Sequence, residues 1–262
     1  MTNHTLEKMA TEYQAGKPVV YTLKSGPTAI QVSEHLGKKI QLNYTGKIHC
    51  IECGRKTNKS FQQGLCFPCM RALPQADMCM VKPETCHLAQ GTCRDPSWGE
   101  THCQKQHTIY LANSSGIKVG ITRQEPIKRW IDQGASQAIK AWTVSTRLES
   151  GIVESSLKEH VSDRTDWRKM LKGNPEPMDL VALAEELSLH LPDGIEVKEE
   201  APEIWEIIYP VLKFPDKIKS LNFDKTPTIS GTLLGIKGQY LILEDGVLNI
   251  KKFQGYEVEI SV

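Results

Sequence analysis

The chain has 262 residues, 39% of them hydrophobic and 24% charged, with a formal net charge of +1. That is an ordinary balance for soluble globular proteins, with length for two compact units. No run of about 18 apolar residues occurs and Met1 to Lys8 carry no apolar leader core, which argues against a membrane span or secretory signal and predicts a cytoplasmic protein.

Residues 1–48 form the first segment. Val19, Tyr21 and Leu23, then Ile30 and Val32, then Ile40, Leu42 and Tyr44 alternate with polar residues, which predicts two or three strands. Residues 49–105 are polar and rich in Gly, Pro and Cys, too poor in large apolar side chains to build a core without metal. Within this region all 8 cysteines of the chain occur. In a reducing compartment they point to metal ligation rather than disulfides.

The first four, Cys50-x2-Cys53 and Cys66-x2-Cys69, are two knuckles separated by twelve residues. Each knuckle offers two thiolates to one ion, and two knuckles complete the tetrahedron that Zn²⁺ prefers. Four thiolates leave no open position, so this zinc is structural. Cys79, Cys86, Cys93 and Cys103 supply the right number for a second site but contain no knuckle. A second structural zinc and an iron–sulfur cluster both satisfy four thiolates, and His87 and His102 are available as substitute ligands. Lys47, Arg55, Lys56, Lys59 and Arg71 face only Glu52 in the stretch around the first set, a basic patch suited to phosphates.

From 106 to 175 regular structure returns. His107–Ala112 and Ile117–Thr122 read as a hairpin across the turn 113–116. Pro126 opens a helix with Ile127, Trp130 and Ile131 on one face. Residues 139–146 read as a third strand, and 151–161 as a helix with Ile152, Leu157 and Val161 near its apolar stripe. The order is β-β-α-β-α. Residues 176–206 hold ten acids against Lys198, and Leu180, Leu183 and Leu187 predict an acidic, solvent-facing helix followed by a linker. In 207–262, residues 228–234, 239–243 and 256–262 read as strands, either of a small barrel or of a generic sheet, free to pair with the N-terminal ones. The fold class is therefore α+β: β-rich terminal segments, central cysteine-rich metal-binding modules and a small β-β-α-β-α core.

The stretch from Thr108 to Met170 resembles the core of the GIY-YIG nuclease superfamily. Thr108-Ile109-Tyr110 stands at the first triplet and Lys118-Val119-Gly120 at the second. Lys128-Arg129-Trp130 lies on the helix where that superfamily carries an arginine, Glu154 lies on the following helix, and Asp166-Trp167 closes the unit. The whole chain also resembles a bacterial cysteine-rich, zinc-binding family of no assigned activity that joins such modules to this core.

The resemblance implies a phosphodiester hydrolase. Tyr110 would sit at the attacking water, Arg129 on the scissile phosphate, and Glu154 on a single Mg²⁺ or Mn²⁺ ion, with Glu149 as the alternative ligand. The chemistry is consistent, because in-line attack builds negative charge that a guanidinium and a hard cation stabilise. Two departures stand out. Thr108 replaces a glycine, and Lys118 replaces the tyrosine of the second triplet; a lysine there stabilises charge, shares the base role if its pKa is lowered, or only binds phosphate.

The expected function is a metal-dependent endonuclease on DNA or RNA, with zinc modules and the basic loop gripping phosphates. The alternatives are a nucleic-acid-binding zinc protein with a decayed nuclease site, and a metal-cluster sensor or adaptor.

Overall fold

The computed structural model describes residues 5–123 and 125–262. The protein is mixed α+β with β-rich ends. It divides into two compact units: Met1–Met70 with Leu171–Gly173 and Ile207–Val262, and Arg71–Met170 with Asn174–Glu206.

The first unit opens with β1 (Ala10–Glu12), β2 (Val20–Ser25) and β3 (Thr28–Ile30), an antiparallel sheet in that order. The alternation read in β2 is the one that buries Tyr21 and Leu23, as a strand with one covered face requires. β4 (Lys39–His49) buries Ile40 and Leu42 and pairs at its far end with β5 (Lys56–Thr57). α1 (Phe67–Ala72) then carries the last cysteine of the first set.

The second unit starts with short 3-10 turns around 74–85 and α2 (Pro96–Cys103). The predicted β-β-α-β-α order follows as β6 (His107–Asn113), β7 (Ile117–Thr122), α3 (Pro126–Asp132), β8 (Gln137–Val144) and α4 (Arg147–Leu157). β6 lies between β7 and β8, antiparallel to both. After α5 (Trp167–Met170) comes α6 (Leu180–Ser188), at the predicted leucine spacing. Ile109, Leu111, Val119 and Ile139 pack with Val153 and Leu157 of α4 and Leu180 and Leu187 of α6 into one core. A register shift between Ile109 and Tyr110 puts both Ala141 and Trp142 on that core side. It also returns Tyr110 opposite Lys140 on the other face, as a bulge does.

In the second unit, two details differ from the sequence reading. α4 starts at Arg147 rather than at 151, because Thr146 and Glu149 close a capping box that satisfies its first amides. Its buried face is Val153 and Leu157, with Ile152 exposed. The acidic stretch holds more than a helix and a linker: β9 (Lys198–Glu199) and β10 (Trp205–Glu206) pair with β8 and cover its edge.

The chain then returns to the first unit with β11 (Thr228–Lys237), β12 (Tyr240–Leu243), β13 (Gly246–Asn249) and β14 (Tyr256–Ser261). β4 pairs with both β11 and β14, giving the order β13-β12-β11-β4-β14, so the two ends of the sequence share one open sheet. Lys237 is fully buried there. Its Nζ donates to the Gly173 carbonyl at 2.9 Å and lies 5.5 Å from the rings of Tyr209 and Phe214, which ties Leu171–Gly173 to this unit. Among the described residues no helix is long and apolar enough to cross a membrane.

Candidate functional site

The first cysteine set is a group of four thiols able to hold a metal ion. The sulfur atoms of Cys50, Cys53, Cys66 and Cys69 all lie within 4.8 Å of one another, and Cys53 and Cys66 are 3.7 Å apart. A tetrahedron with bonds of about 2.3 Å has edges of roughly 3.8 Å, so the spacing fits zinc. Backbone amides support the thiolates: burial pushes Cys50 up, but the amides of Cys53, Cys66 and Glu52 outweigh it and leave its pKa at about 6. The Cys66 amide donates to Cys50 Sγ at 3.2 Å. Hydrogen bonds with Cys66 and Cys53 push Cys69 up to about 12. Thiol groups that ligate a metal do so as thiolates.

The second set is arranged differently. Its tight group is Asp77, Cys79 and His87, and Cys86, Cys93 and Cys103 stand outside that group. Asp77 is already engaged: it accepts from the Cys79 amide at 3.2 Å and meets Arg94 at 2.7 Å and His87 at 3.5 Å. His102, the other candidate substitute, stacks on Trp98 with centroids 4.2 Å apart and turns Nδ1 to the Trp98 carbonyl. Burial pushes Cys79 up to about 11, and Cys103 is raised for the same reason. The charge of Arg147, at the start of α4, acts on Cys79, Cys86 and Cys103 together. Arg147 Nη2 donates to the Met80 carbonyl at 2.8 Å, so this module is fastened to α4. Gly151 makes the contact close: a Cβ there would overlap the backbone of Pro83 and Glu84.

The four residues expected at the catalytic centre meet at the sheet of the second unit. Tyr110 is fully buried and lies over Gly120, its cross-strand partner. A Cβ at Gly120 would stand 2.5 Å from the phenol oxygen, so only glycine lets the ring cross the strand there. The Tyr110 hydroxyl donates to Gln133 Oε1 at 3.0 Å, and Trp130 packs edge-on at 5.9 Å. Burial raises the phenol pKa, opposed by the adjacent Arg129 and Gln133. Lys118 is only 6% exposed. Burial lowers its pKa to about 8, Arg129 pushes the same way, and Glu154 and Asp163 oppose them. Burial raises Glu154; Lys158 and Lys118 pull it back, while Asp163 and Glu84 push it further.

Lys158 Nζ lies 3.7 Å from Glu154 and 3.5 Å from Asp163. One ammonium thus stands between two carboxylates. Glu149 is engaged in the capping box, where its carboxylate accepts from the Thr146 amide at 2.8 Å.

Gln133, Lys158, Asp163 and Glu84 were not among the residues expected here. Lys158 follows Glu154 by one helical turn, a legible ion-pair spacing. Asp163 carries no such signal; it is positioned where the chain after α4 bridges Lys118 with Ser162 and the Val119 amide donates to the Ser162 carbonyl at 2.8 Å. Glu84 comes from the cysteine-rich stretch, and its Oε2 is buried with no hydrogen-bond partner among the described residues. His107, buried, donates through Nδ1 to the Lys105 carbonyl at 2.6 Å, and His160 stacks on His190 at 3.6 Å.

Residues 37–258 match a family described as "Protein of unknown function (DUF2797)". No curated protein and no solved structure matches the chain.

Proposed function

The chain belongs to the DUF2797 family, and we propose that it is a metal-dependent phosphodiesterase acting on DNA or RNA, built as the GIY-YIG nucleases are and carrying a structural zinc in its first cysteine set. The observation that supports this reading is the meeting of Tyr110, Lys118, Arg129 and Glu154, from four separate elements, around one point.

Each residue has a role consistent with its surroundings. Arg129 holds a phosphoryl oxygen. Lys118, with its pKa brought to about 8, exists in both protonation states near neutrality and takes a proton from the attacking water. Tyr110 is kept protonated by burial, so it orients through hydrogen bonds rather than acting as a base. Glu154, with Asp163 beside it, would hold Mg²⁺ or Mn²⁺, which would neutralise charge growing on the phosphoryl oxygens. The second cysteine set is assigned as a further structural thiolate centre, zinc or iron–sulfur, next to Arg147.

A second reading is favoured by the burial of Tyr110 and by Lys118 in the second triplet: a nucleic-acid binder that does not cut. Labelled single- and double-stranded DNA and RNA, incubated with Mg²⁺ or Mn²⁺, separate the two. Cleavage by the wild type, reduced about 100-fold or more in Glu154→Ala and Arg129→Ala, is the expected result. Retarded migration without cleavage selects the binder, and no effect on any substrate overturns both.

A further inference from the structure

The face of the sheet that carries Tyr110 extends past it into an open cleft of about 500 Å³ lined by Lys105, Thr108, Arg123, Lys140, Thr143 and Glu200. Register explains the grouping. Lys140 stands directly across from Tyr110 and Thr143 across from Thr108. Thr108 and Tyr110 are two residues apart on β6, so the four share one face. Three cations thus meet one carboxylate, and no ion pair to any of the three occurs among the described residues. Like charges gathered without partners repel one another, and a polyanion relieves that cost.

The geometry points to a second phosphate subsite, in which Lys105, Arg123 and Lys140 hold the backbone of the nucleic-acid strand next to the nucleotide held by Arg129. The Thr108 and Thr143 hydroxyls supply donors to its phosphate oxygens. Glu200, fixed in place by its amide donating to the Ala141 carbonyl at 3.0 Å, accepts from a ribose hydroxyl or base amino group. Phosphate acceptors and sugar or base donors occur together in a nucleotide and not in inorganic phosphate. The subsite rests on the nucleic-acid reading above, but it concerns binding rather than cutting.

The test uses the full chain carrying Glu154→Ala, without divalent cations, and a labelled single-stranded oligonucleotide titrated at several salt concentrations. Adding Arg123→Gln and Lys140→Gln should weaken binding about 10-fold. It should also flatten the slope of log affinity against log salt by about 1.4, or roughly 0.7 for each phosphate left without its cation. Lys213→Gln with Lys217→Gln, in the first unit, should change neither. Arg123→Gln alone, at an exposed residue, gives half the change in slope and guards against misfolding of the double variant.

Unchanged affinity and slope in the Arg123/Lys140 variant overturn the subsite; if the wild type still cuts, the cleavage reading survives that result. A loss of binding with no cleavage by the wild type upholds the subsite and removes the cleavage step. Failure of the parent to bind any oligonucleotide overturns both. Displacement of the oligonucleotide by inorganic phosphate as readily as by a nucleoside monophosphate also overturns it, by showing a plain anion site.

Discussion

Cys50, Cys53, Cys66 and Cys69 close into one group, whereas Cys79, Cys86 and Cys103 gather around Arg147 without doing so, and Cys93 turns its sulfur to the Asp95 carbonyl. The difference follows from chain geometry. Two residues between cysteines make a knuckle whose own backbone amides point at the sulfurs, so half of a zinc site is built by local structure and only the pairing of two halves is left to the fold. Spacings of six and nine residues fix nothing locally. Those thiols are positioned by what their short turns pack against, which around Met80 and Pro83–Glu84 is α4. A ligand set that is locally encoded is thus insulated from its surroundings, and one that is not is coupled to a neighbouring helix, here the helix that carries Glu154.

The largest expected effect separates the two sets by metal. Cys66→Ser should lower the zinc content by one ion per chain and remove hydrogen-exchange protection across residues 50–69, because structural zinc contributes on the order of 10 kcal/mol to such elements. Nuclease activity in the second unit should survive it. Cys103→Ser should instead depress cleavage along with metal content, read by metal analysis beside a cleavage assay. Equal effects on cleavage would dissolve the distinction between the sets.

Acid stability sharpens it next. His107 is buried with its pKa lowered to about 4 by burial, and its Nε2 has no partner among the described residues. The folded chain refuses a proton that the unfolded chain takes near pH 6.5. Stability is therefore full above pH 6.5 and falls as the pH drops toward 4, by about 3 kcal/mol. His107→Asn should remove that loss, seen as a smaller difference between urea midpoints at pH 7 and pH 4.5. A wild-type-like pH dependence in the variant would mean that His107 titrates normally.

Seating of the second module on α4 is probed by Gly151→Ala. The new methyl meets the backbone of Pro83 and Glu84 rather than a movable side chain, and should cost about 2 kcal/mol. A loss below roughly 0.5 kcal/mol, the scatter of surface substitutions, would show that the contact yields easily. The smallest effect belongs to the cap alone: Thr146→Ala should cost about 1 kcal/mol in thermal or chemical unfolding, with cleavage reduced only as far as α4 frays.

Much of the second unit was legible in its residues. Pro126 with Ile127, Trp130 and Ile131 placed α3, and all four are buried. The leucine spacing placed α6. The start of α4 was encoded too, in the Thr146-x-x-Glu149 box, which engages the Glu149 carboxylate. β13 was missed because four residues after a tight turn give little periodicity, and β9 and β10, at two residues each, give none. In the candidate site, Tyr110, Lys118, Arg129 and Glu154 stood in recognisable order. Asp163, Glu84 and the cleft around Lys140 did not, since their neighbours are remote in the chain.

The sequence by itself determined the cysteine knuckles, the strand and helix order of the core and the types of residue available for chemistry, because these depend on spacings of two to four residues that backbone geometry fixes. Tertiary structure alone decided that β4 joins β11 and β14, that a buried lysine faces a carboxylate and a guanidinium, and that the spaced cysteines lean on α4. Burial and long-range pairing set those outcomes, and neither is a property of any short stretch of chain.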